Sequence, residues 1–413
     1  MLIFVAMLSL RKIALGALAA LSFLACQKDV LPYGNTVGNP AVGRDVSPGL
    51  GYQKVMILYS EGYNDLTGSL SDNINQLCQG EIPSMNQRNV VVVYSHSAVR
   101  RADYTTDTEP VLYRLYLRGG KAVRDTLKRF DAGANTMTPD FMRSVLESVR
   151  QLFPARSYGL VYTSHGNGWI PSGYTGEGSY MNVAPSWIGA QFDGSSANRL
   201  SLDIDQLAKA IPFHLEYIAF DACLMGGVEV VYELKDVCDY IIASPTEVMS
   251  YGFNYPTMCS HLLCDGPSDL QGVCEDYYQL YVQNNECATI GLYDCSKIRN
   301  VAQLCKGIFQ AHKGEVFSVR ADNVQSYNYS FDYNYDFKDY CRALKASEAE
   351  LEELERALSE LVIYKNSTPY FIYTKIDPER FSGIGCYIPT KNRPTLNDYY
   401  SQTAWNKATG LLD

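Results

Sequence analysis

The sequence has no excess of positive charge and few histidines. Its formal net charge is −10, and because nucleic-acid binding needs a basic face, nucleic acid is not an expected partner. The five histidines include one in a short grouping with two cysteines, Cys259, His261 and Cys264, but no second pair of ligands follows at zinc-finger spacing. No internal repeat is present. We therefore expect neither a structural zinc site nor a repeat architecture.

The amino terminus has no apolar run long enough to span a bilayer comfortably. The run from Ile13 to Ala25 follows the basic pair Arg11 and Lys12, and its length is typical of a signal peptide. It ends at Cys26, and a small residue followed by cysteine resembles a bacterial lipobox, in which the cysteine is lipidated. We expect an exported protein that is lipid-anchored to a bacterial membrane, at the periplasm or the cell surface; plain secretion is the alternative.

The chain divides into four expected parts. Residues 1–26 are the signal peptide, 27–50 a tether rich in glycine and proline, 51–255 the core, and 256–413 the carboxyl-terminal part of the same unit. Alternation of strands and helices in the core predicts an α/β fold with a mainly parallel sheet covered on both faces. Strands are predicted near 54–59, 90–94, 111–117, 158–163, 215–220 and 240–243, and helices near 66–79, 139–152, 201–210 and 227–234.

The sequence predicts that the carboxyl-terminal part is an extension with both helices and strands. Helical patterns run through residues 270–312, and Ser347 with Glu350 forms a capping-box pattern that opens a helix with one leucine stripe. Late strands are expected near 371–375 and 385–388. In the core, by contrast, residues 121–124 are predicted to begin a polar connection.

Reactive side chains stand where two predicted strands end. The apolar run 215–220 leads to Asp221 and Cys223, and a second predicted strand upstream in the chain leads to His165 and Gly166. Open α/β sheets bind ligands at the carboxyl ends of their strands, and a cysteine nucleophile needs a nearby base. From the residues alone, plainer roles stay open: Cys223 as a small buried side chain, His165 as a turn histidine, and Asp221 as a helix cap or salt-bridge partner.

Two motifs extend this interpretation. The segments TSHGNGW (163–169) and FDACLM (220–225) resemble the two catalytic motifs of the clostripain family of cysteine peptidases. Weaker similarities to the family occur, in the same order along the chain as in the family, at 57–59, 243–255 and 382–389. The resemblance therefore covers about residues 52 to 390.

The resemblance implies a caspase-like α/β/α sandwich and an endopeptidase with a Cys-His dyad. By this resemblance Cys223 is the nucleophile, and His165 protonates the departing amine. The amides of Gly166 and Cys223 form the oxyanion hole. Asp221 meets a basic side chain before the scissile bond, and its carboxylate favours arginine over lysine. Peptides or proteins are the implied substrates.

Further details of the site are less well defined by the sequence. In the specificity segment 243–255, Tyr251 stands near the position where an acidic residue is expected, and Glu247 could compensate. Relatives are often activated by cleavage between the histidine and the cysteine, and Arg199 is the predicted cleavage position here. Some relatives require calcium, but the acidic candidates Asp203, Asp205 and Asp221 are too generic to assign a site. No cofactor is otherwise expected.

A function of another class is also compatible with the composition. The sequence has 32 tyrosines, which in a surface lipoprotein could bind glycan or peptide without chemistry. An inactive peptidase homologue is a further alternative, against which the intact His165 and Cys223 argue.

Overall fold

The computed structural model describes residues 52–100, 105–107, 109–172, 174, 188–192, 199–328 and 333–412. The expected signal peptide, the lipidation residue Cys26 and the tether 27–50 lie outside these ranges. In the part of the chain that is described, no helix has the length and apolar character needed to cross a membrane.

The described strands are dominated by one large sheet. Sixteen strands are present: β1 (Tyr52–Gly62), β2 (Val90–Arg100), β3 (Thr105–Asp107), β4 (Val111–Arg118), β5 (Lys121–Arg129), β6 (Ala155–Thr163), β7 (Ile188–Phe192), β8 (Arg199–Leu202), β9 (Leu215–Asp221), β10 (Cys238–Ala243), β11 (Thr289–Asp294), β12 (Tyr335–Asp336), β13 (Val362–Ser367), β14 (Tyr370–Phe371), β15 (Thr374–Lys375) and β16 (Gly385–Cys386).

The large sheet is parallel at its centre and antiparallel at both sides. Its order is β13-β11-β10-β9-β6-β1-β2-β4-β5, with β3 paired to β2. The five neighbours from β10 to β2 run parallel, whereas β4, β5, β11 and β13 are antiparallel to their neighbours. The mainly parallel sheet is therefore confirmed, and β11 and β13 extend it from beyond residue 255.

Helices cover both faces of this sheet. The described α-helices are α1 (Thr67–Leu77), α2 (Pro139–Leu152), α3 (Ile204–Ala210), α4 (Val228–Leu234), α5 (Tyr255–Leu262), α6 (Leu270–Gln283), α7 (Ile298–Ala311), α8 (Phe337–Ala343), α9 (Glu348–Leu361), α10 (Pro394–Ser401) and α11 (Ala404–Thr409). Helices α1, α5 and α6 pack on one face, and α2, α3, α4, α7 and α9 pack on the other. The result is the three-layer α/β/α arrangement that was predicted.

The central strands have continuous apolar runs in their middle because both of their faces are buried there. In β1, Val55, Ile57 and Tyr59 point into one core, while Met56 and Leu58 point into the other. A strand covered on both sides has no need for polar alternation, which explains the continuous apolar runs of the sequence.

Two helix starts follow the predicted caps. Thr138 accepts a hydrogen bond from the Phe141 amide, with Pro139 in the first turn of α2. At α9, the Ser347 side chain accepts from the Glu350 amide and the Glu350 carboxylate accepts from the Ser347 amide, which completes a capping box. The predicted leucine stripe of α9 is buried.

Three assignments from the sequence were wrong or incomplete. Residues 121–129 form β5 and not a polar connection: Gly119 and Gly120 both have positive φ, at 58° and 76°, and close a hairpin. The strand is polar because it lies at the sheet edge. Strands β11 and β13 were not predicted, and the helix expected from residue 201 begins only at Ile204, after the short strand β8.

The capping box of α9 supplies a test of local stability. Ser347→Ala removes the side chain that caps the first turn, so we expect the free energy of unfolding to fall by about 1 kcal/mol. Ser359→Ala is the matched control, because Ser359 is exposed on the same helix and caps nothing. Urea denaturation measures both, and equal effects of the two substitutions would contradict the cap assignment.

Candidate active site

The register of two neighbouring strands determines the site. In the parallel pair β6 and β9, Thr163 lies opposite Asp221. His165 follows two residues after Thr163, and Cys223 follows two residues after Asp221, so the chain brings both to the same edge of the sheet. His165, Asp221 and Cys223 line one pocket of about 190 Å³. The structure thus brings together the three side chains that the sequence singled out.

Asp221 is buried at this pocket and is surrounded by donors. Its Oδ2 accepts hydrogen bonds from the Tyr255 hydroxyl at 2.6 Å, from Thr163 Oγ1 at 3.3 Å and from Asn73 Nδ2 at 3.3 Å. Burial raises the pKa of the Asp221 carboxyl to about 6, although these hydroxyl donors and the Phe253 amide lower it. The carboxylate is therefore mainly ionised at neutral pH, and it presents a negative charge to a small, partly apolar cavity.

The thiol of Cys223 is held by the loop that follows β10. The Val248 amide donates a hydrogen bond to Cys223 Sγ at 3.3 Å. Burial raises the pKa of the Cys223 thiol to about 12; the Val248 amide opposes this rise, and the charges of Glu247 and Asp221 add to it. The unbound protein therefore carries a neutral thiol at Cys223.

The turn after Cys223 is fixed by backbone hydrogen bonds. Leu224 has a φ of 63°, a region that non-glycine residues rarely occupy, and its amide donates to the Thr246 carbonyl at 2.9 Å. The Gly226 amide donates to the Ser244 carbonyl, also at 2.9 Å. These bonds tie the turn that carries Cys223 to the loop that contains Val248.

Two glycines allow close approach around the site. A Cβ on Gly166 would lie 2.5 Å from the Cys223 carbonyl oxygen, and a Cβ on Gly252 would lie 2.3 Å from Asp221 Oδ2. Gly252 also has a φ of 64°. Any side chain at either position would displace the backbone that shapes the pocket.

Two backbone amides at the site are available to a ligand. Among the described hydrogen bonds, the amides of Gly166 and Cys223 donate to no other residue. Gly166 packs directly on the Cys223 backbone, so the two amides lie close together, with Cys223 in the pocket lining and Gly166 just behind it. Amides that are close together and lack acceptors suit a developing negative charge.

His165 has a partner that the sequence did not indicate. Its Nε2 lies 2.7 Å from Asp65 Oδ1, in the loop between β1 and α1. His165 Nδ1 makes no hydrogen bond within the described chain, and no hydrogen bond joins His165 to Cys223. Another histidine, His96, is buried within β2 and binds the Glu61 carboxylate at 2.7 Å through its Nδ1, so it is not available to Cys223.

Other predicted site residues lie around the pocket or outside it. Ser250 and Gly252 line the pocket, whereas Tyr251 between them is 44% exposed and packs edge-on against Tyr281. Glu247 is not part of the pocket lining, although its charge acts on the thiol of Cys223.

The position predicted for cleavage is described only in part. Arg199 is the first residue of β8, where its backbone pairs with Phe192, and its side chain lies outside the described residues. Lys209, the other basic residue between His165 and Cys223, lies in α3 as predicted.

The residues considered for metals have other partners. Asp203 accepts hydrogen bonds from Ser172, Asp205 pairs with Lys209 at 2.7 Å, and Asp221 is bound by Tyr255. Within the described ranges, no group of three or more His, Cys, Asp or Glu side chains is arranged to hold a metal ion. The three acidic residues do not fit a shared calcium site, because each carboxylate is already used elsewhere.

Comparison with known proteins identifies the family. The sequence profile of the clostripain family matches residues 58–408, which is most of the chain. The chain belongs to the clostripain family. Clostripain from Hathewaya histolytica is 22% identical over 424 residues, which cover 85% of this chain and 77% of clostripain.

Solved structures of clostripain-family proteins agree with the fold. An inactive zymogen C11 protease from Parabacteroides distasonis superposes with a TM-score of 0.73 at 25% identity, over 87% of this chain and 99% of that chain. A secreted C11 cysteine protease from Bacteroides thetaiotaomicron, iotapain, superposes with a TM-score of 0.73 at 28% identity over the same shares. The caspase-like fold is confirmed, and this clostripain-family protein is a cysteine endopeptidase.

Sequence reasoning missed several residues that hold the site. Tyr255 was included only as part of the segment 243–255, Asn73 only as part of a predicted helix, and Asp65 was given no role. Asp65 follows the end of β1 at the same sheet edge as Cys223. A carboxylate just after a central strand was therefore a usable indication, whereas Tyr255 and Asn73, which donate to Asp221, come from distant helices and gave none.

The buried carboxyl of Asp221 predicts an unusual pH dependence of stability. Its folded-state pKa is raised above the unfolded value, so the folded state binds more protons between about pH 4 and about pH 6. Stability from this group is therefore lost as the pH rises through that window. We expect Asp221→Asn to gain about 2 kcal/mol relative to the wild type between about pH 4.5 and about pH 8.

Urea denaturation at the two pH values measures this gain, with both proteins in a Cys223→Ala background to prevent proteolysis. Asp131→Asn is the control, because Asp131 lies in an exposed turn. A stability difference between Asp221→Asn and its parent that does not change with pH would refute the prediction.

Proposed function

We propose that this peptidase cleaves after basic residues, arginine ahead of lysine, with Cys223 as nucleophile and His165 as the proton-transfer residue. The observation that carries the proposal is the single pocket that contains Cys223, His165 and the buried carboxylate of Asp221. A buried carboxylate with a raised pKa is unfavourable for the fold, so its presence in a pocket beside a cysteine supports a role in binding a cation.

The arrangement suggests how the peptide bond is broken. Cys223 Sγ attacks the carbonyl carbon of the substrate while the thiol proton passes to His165. The carbonyl oxygen becomes an oxyanion, which accepts hydrogen bonds from the amides of Gly166 and Cys223. His165 then donates its proton to the amine as the C–N bond breaks. Water releases the acyl group from sulfur, with His165 accepting the proton of that water.

The surroundings of Asp221 support a preference for arginine. Side chains of Tyr255, Thr163 and Asn73 fix the carboxylate, so it is oriented before a substrate arrives. A planar guanidinium pairs with an oriented carboxylate through two hydrogen bonds, whereas an ammonium offers a point charge. The pocket should therefore bind arginine more tightly than lysine. Ser250, Glu247 and Tyr251 belong to the adjoining loop, and we assign Glu247 and Tyr251 only a secondary part in binding.

We also propose that the protein acts outside the cytoplasm. The apolar run before Cys26 supports export, and the similarity to a secreted C11 protease agrees with it. Lipidation of Cys26 would hold the catalytic unit at a membrane through the tether 27–50, where it would meet extracellular or periplasmic peptides and proteins.

Fluorogenic peptides that differ only in their last residue test the specificity. We expect turnover in the order arginine, lysine, leucine, and no turnover by Cys223→Ala. Asp221→Asn should lower kcat/KM for the arginine peptide by more than about tenfold, because a charge-assisted hydrogen bond contributes roughly 1.5–3 kcal/mol. Cys264→Ala is the control for cysteine loss, since Cys264 bonds the Pro267 carbonyl and lies outside the pocket. Unchanged arginine selectivity in Asp221→Asn would place the specificity determinant elsewhere.

Self-cleavage is proposed after Arg199. The bond that follows Arg199 lies within β8, so cleavage there requires its pairing with β7 to open. Intact-mass spectrometry of purified wild-type protein should show two fragments that meet between residues 199 and 200, and Cys223→Ala should remain uncut. A cut at another position, or an intact active enzyme, would rule out this assignment.

A further inference from the structure

The loop between β1 and α1 places a carboxylate within hydrogen-bond distance of His165, the candidate base. Asp65 Oδ1 lies 2.7 Å from His165 Nε2, with the His165 side chain 21% exposed and the Asp65 side chain 55% exposed. Because Nε2 faces Asp65, Nδ1 is the ring nitrogen that stays available on a side chain lining the pocket with Cys223. The contact therefore selects which nitrogen can exchange a proton with reacting atoms.

This loop is connected directly to the residue before His165. Ser164 Oγ donates to the Glu61 carbonyl at 2.6 Å, which links the end of β6 to the end of β1. Asn64 Nδ2 donates to the same carbonyl at 3.3 Å, and Asn64 Oδ1 accepts from the Leu66 amide at 2.8 Å. Asp65 is thus enclosed between two anchored residues, and its distance to His165 is fixed by the backbone on both sides.

A buried pair supports the start of the loop. The Glu61 side chain, fully buried, binds His96 Nδ1 at 2.7 Å, and Glu61 near the end of β1 is in register with His96 of β2. The Tyr63 ring stacks on the His96 ring with centroids 4.6 Å apart and planes 4° apart. This packing holds the chain just before Asp65, so the loop is preorganised without a ligand.

We propose that Asp65 is a positioning residue for His165 in peptide-bond cleavage. It accepts the Nε2 proton, which leaves Nδ1 as the site that takes the thiol proton and then delivers it to the departing amine. When both ring nitrogens are protonated, the Asp65 carboxylate stabilises the imidazolium. Asp65 keeps its own charge throughout and does not touch the substrate. The inference rests on the proposed Cys223 and His165 dyad and adds a third side chain that acts through the second.

The position of Asp65 makes the proposal testable without unfolding the protein. An exposed ion pair contributes little to stability, so removal of the Asp65 carboxylate leaves the fold intact. The chain also offers a matched control: His214 Nε2 lies 2.8 Å from Asp239 Oδ1, and both side chains are more than half exposed. Asp239 stands near the start of β10, at the opposite edge of the sheet from the pocket.

The experiment compares two substrates with the same arginine acyl group. One is an amide, whose amine must be protonated to leave, and the other is a 4-nitrophenyl ester, whose leaving group departs as an anion. Acylation rates are measured in single turnovers with enzyme in excess. We expect Asp65→Ala to slow acylation by both substrates, because both need the oriented His165 to take the thiol proton, and to slow the amide clearly more, by about tenfold or more, because only the amide also needs an oriented acid.

Conservative and control variants complete the test. Asp65→Asn keeps an acceptor for Nε2 but loses the charge, so it should be faster on the amide than Asp65→Ala and slower than the wild type, while Asp239→Ala should match the wild type on both substrates. Equal losses on amide and ester, or no loss on the amide, would overturn the role of Asp65. His165→Ala separates the two hypotheses: if it retains amide acylation, the dyad itself is wrong, and if it loses acylation while Asp65→Ala does not, only the role of Asp65 fails.

Discussion

The site depends on the parallel register of β6 and β9. Pairing of Thr163 with Asp221 places the chain that continues to His165 beside the chain that continues to Cys223. A shift of one residue would turn the side chains of one strand to the opposite face of the sheet. The buried apolar residues of both strands, in contact with helices on each face, hold this register. Core packing therefore determines how His165 and Cys223 are placed relative to each other.

The site also contains groups that are unfavourable for the stability of the fold. Asp221 is ionised in a buried position, and Cys223 is kept neutral by the same burial and by neighbouring carboxylates. Leu224 adds a strained backbone conformation directly after the thiol. Two large cores compensate for these local costs. Such a concentration of unfavourable groups in one pocket is typical of residues that serve binding or reaction more than stability.

Most of the fold and the central residues of the site could be predicted from the sequence, because strands buried on both faces are continuous apolar runs and reactive residues follow their ends. Cys223, His165 and Asp221 were found in this way. Strand β5 was missed because its edge position permits polar residues, and its glycine turn was the available indication. Tyr255 and Asp65 were not assigned roles, since Tyr255 is 34 residues from Asp221 and Asp65 is 100 residues from His165.

The loop after β10 contacts both Cys223 and Asp221. Its Val248 amide donates to the Cys223 sulfur, and Gly252 packs against Asp221 so closely that no side chain fits. A change of loop sequence or length would therefore alter thiol ionisation and substrate preference together. The chain thus has little freedom to change what the pocket binds without also changing the surroundings of the thiol. A ligand that displaces this loop would inhibit through both properties at once.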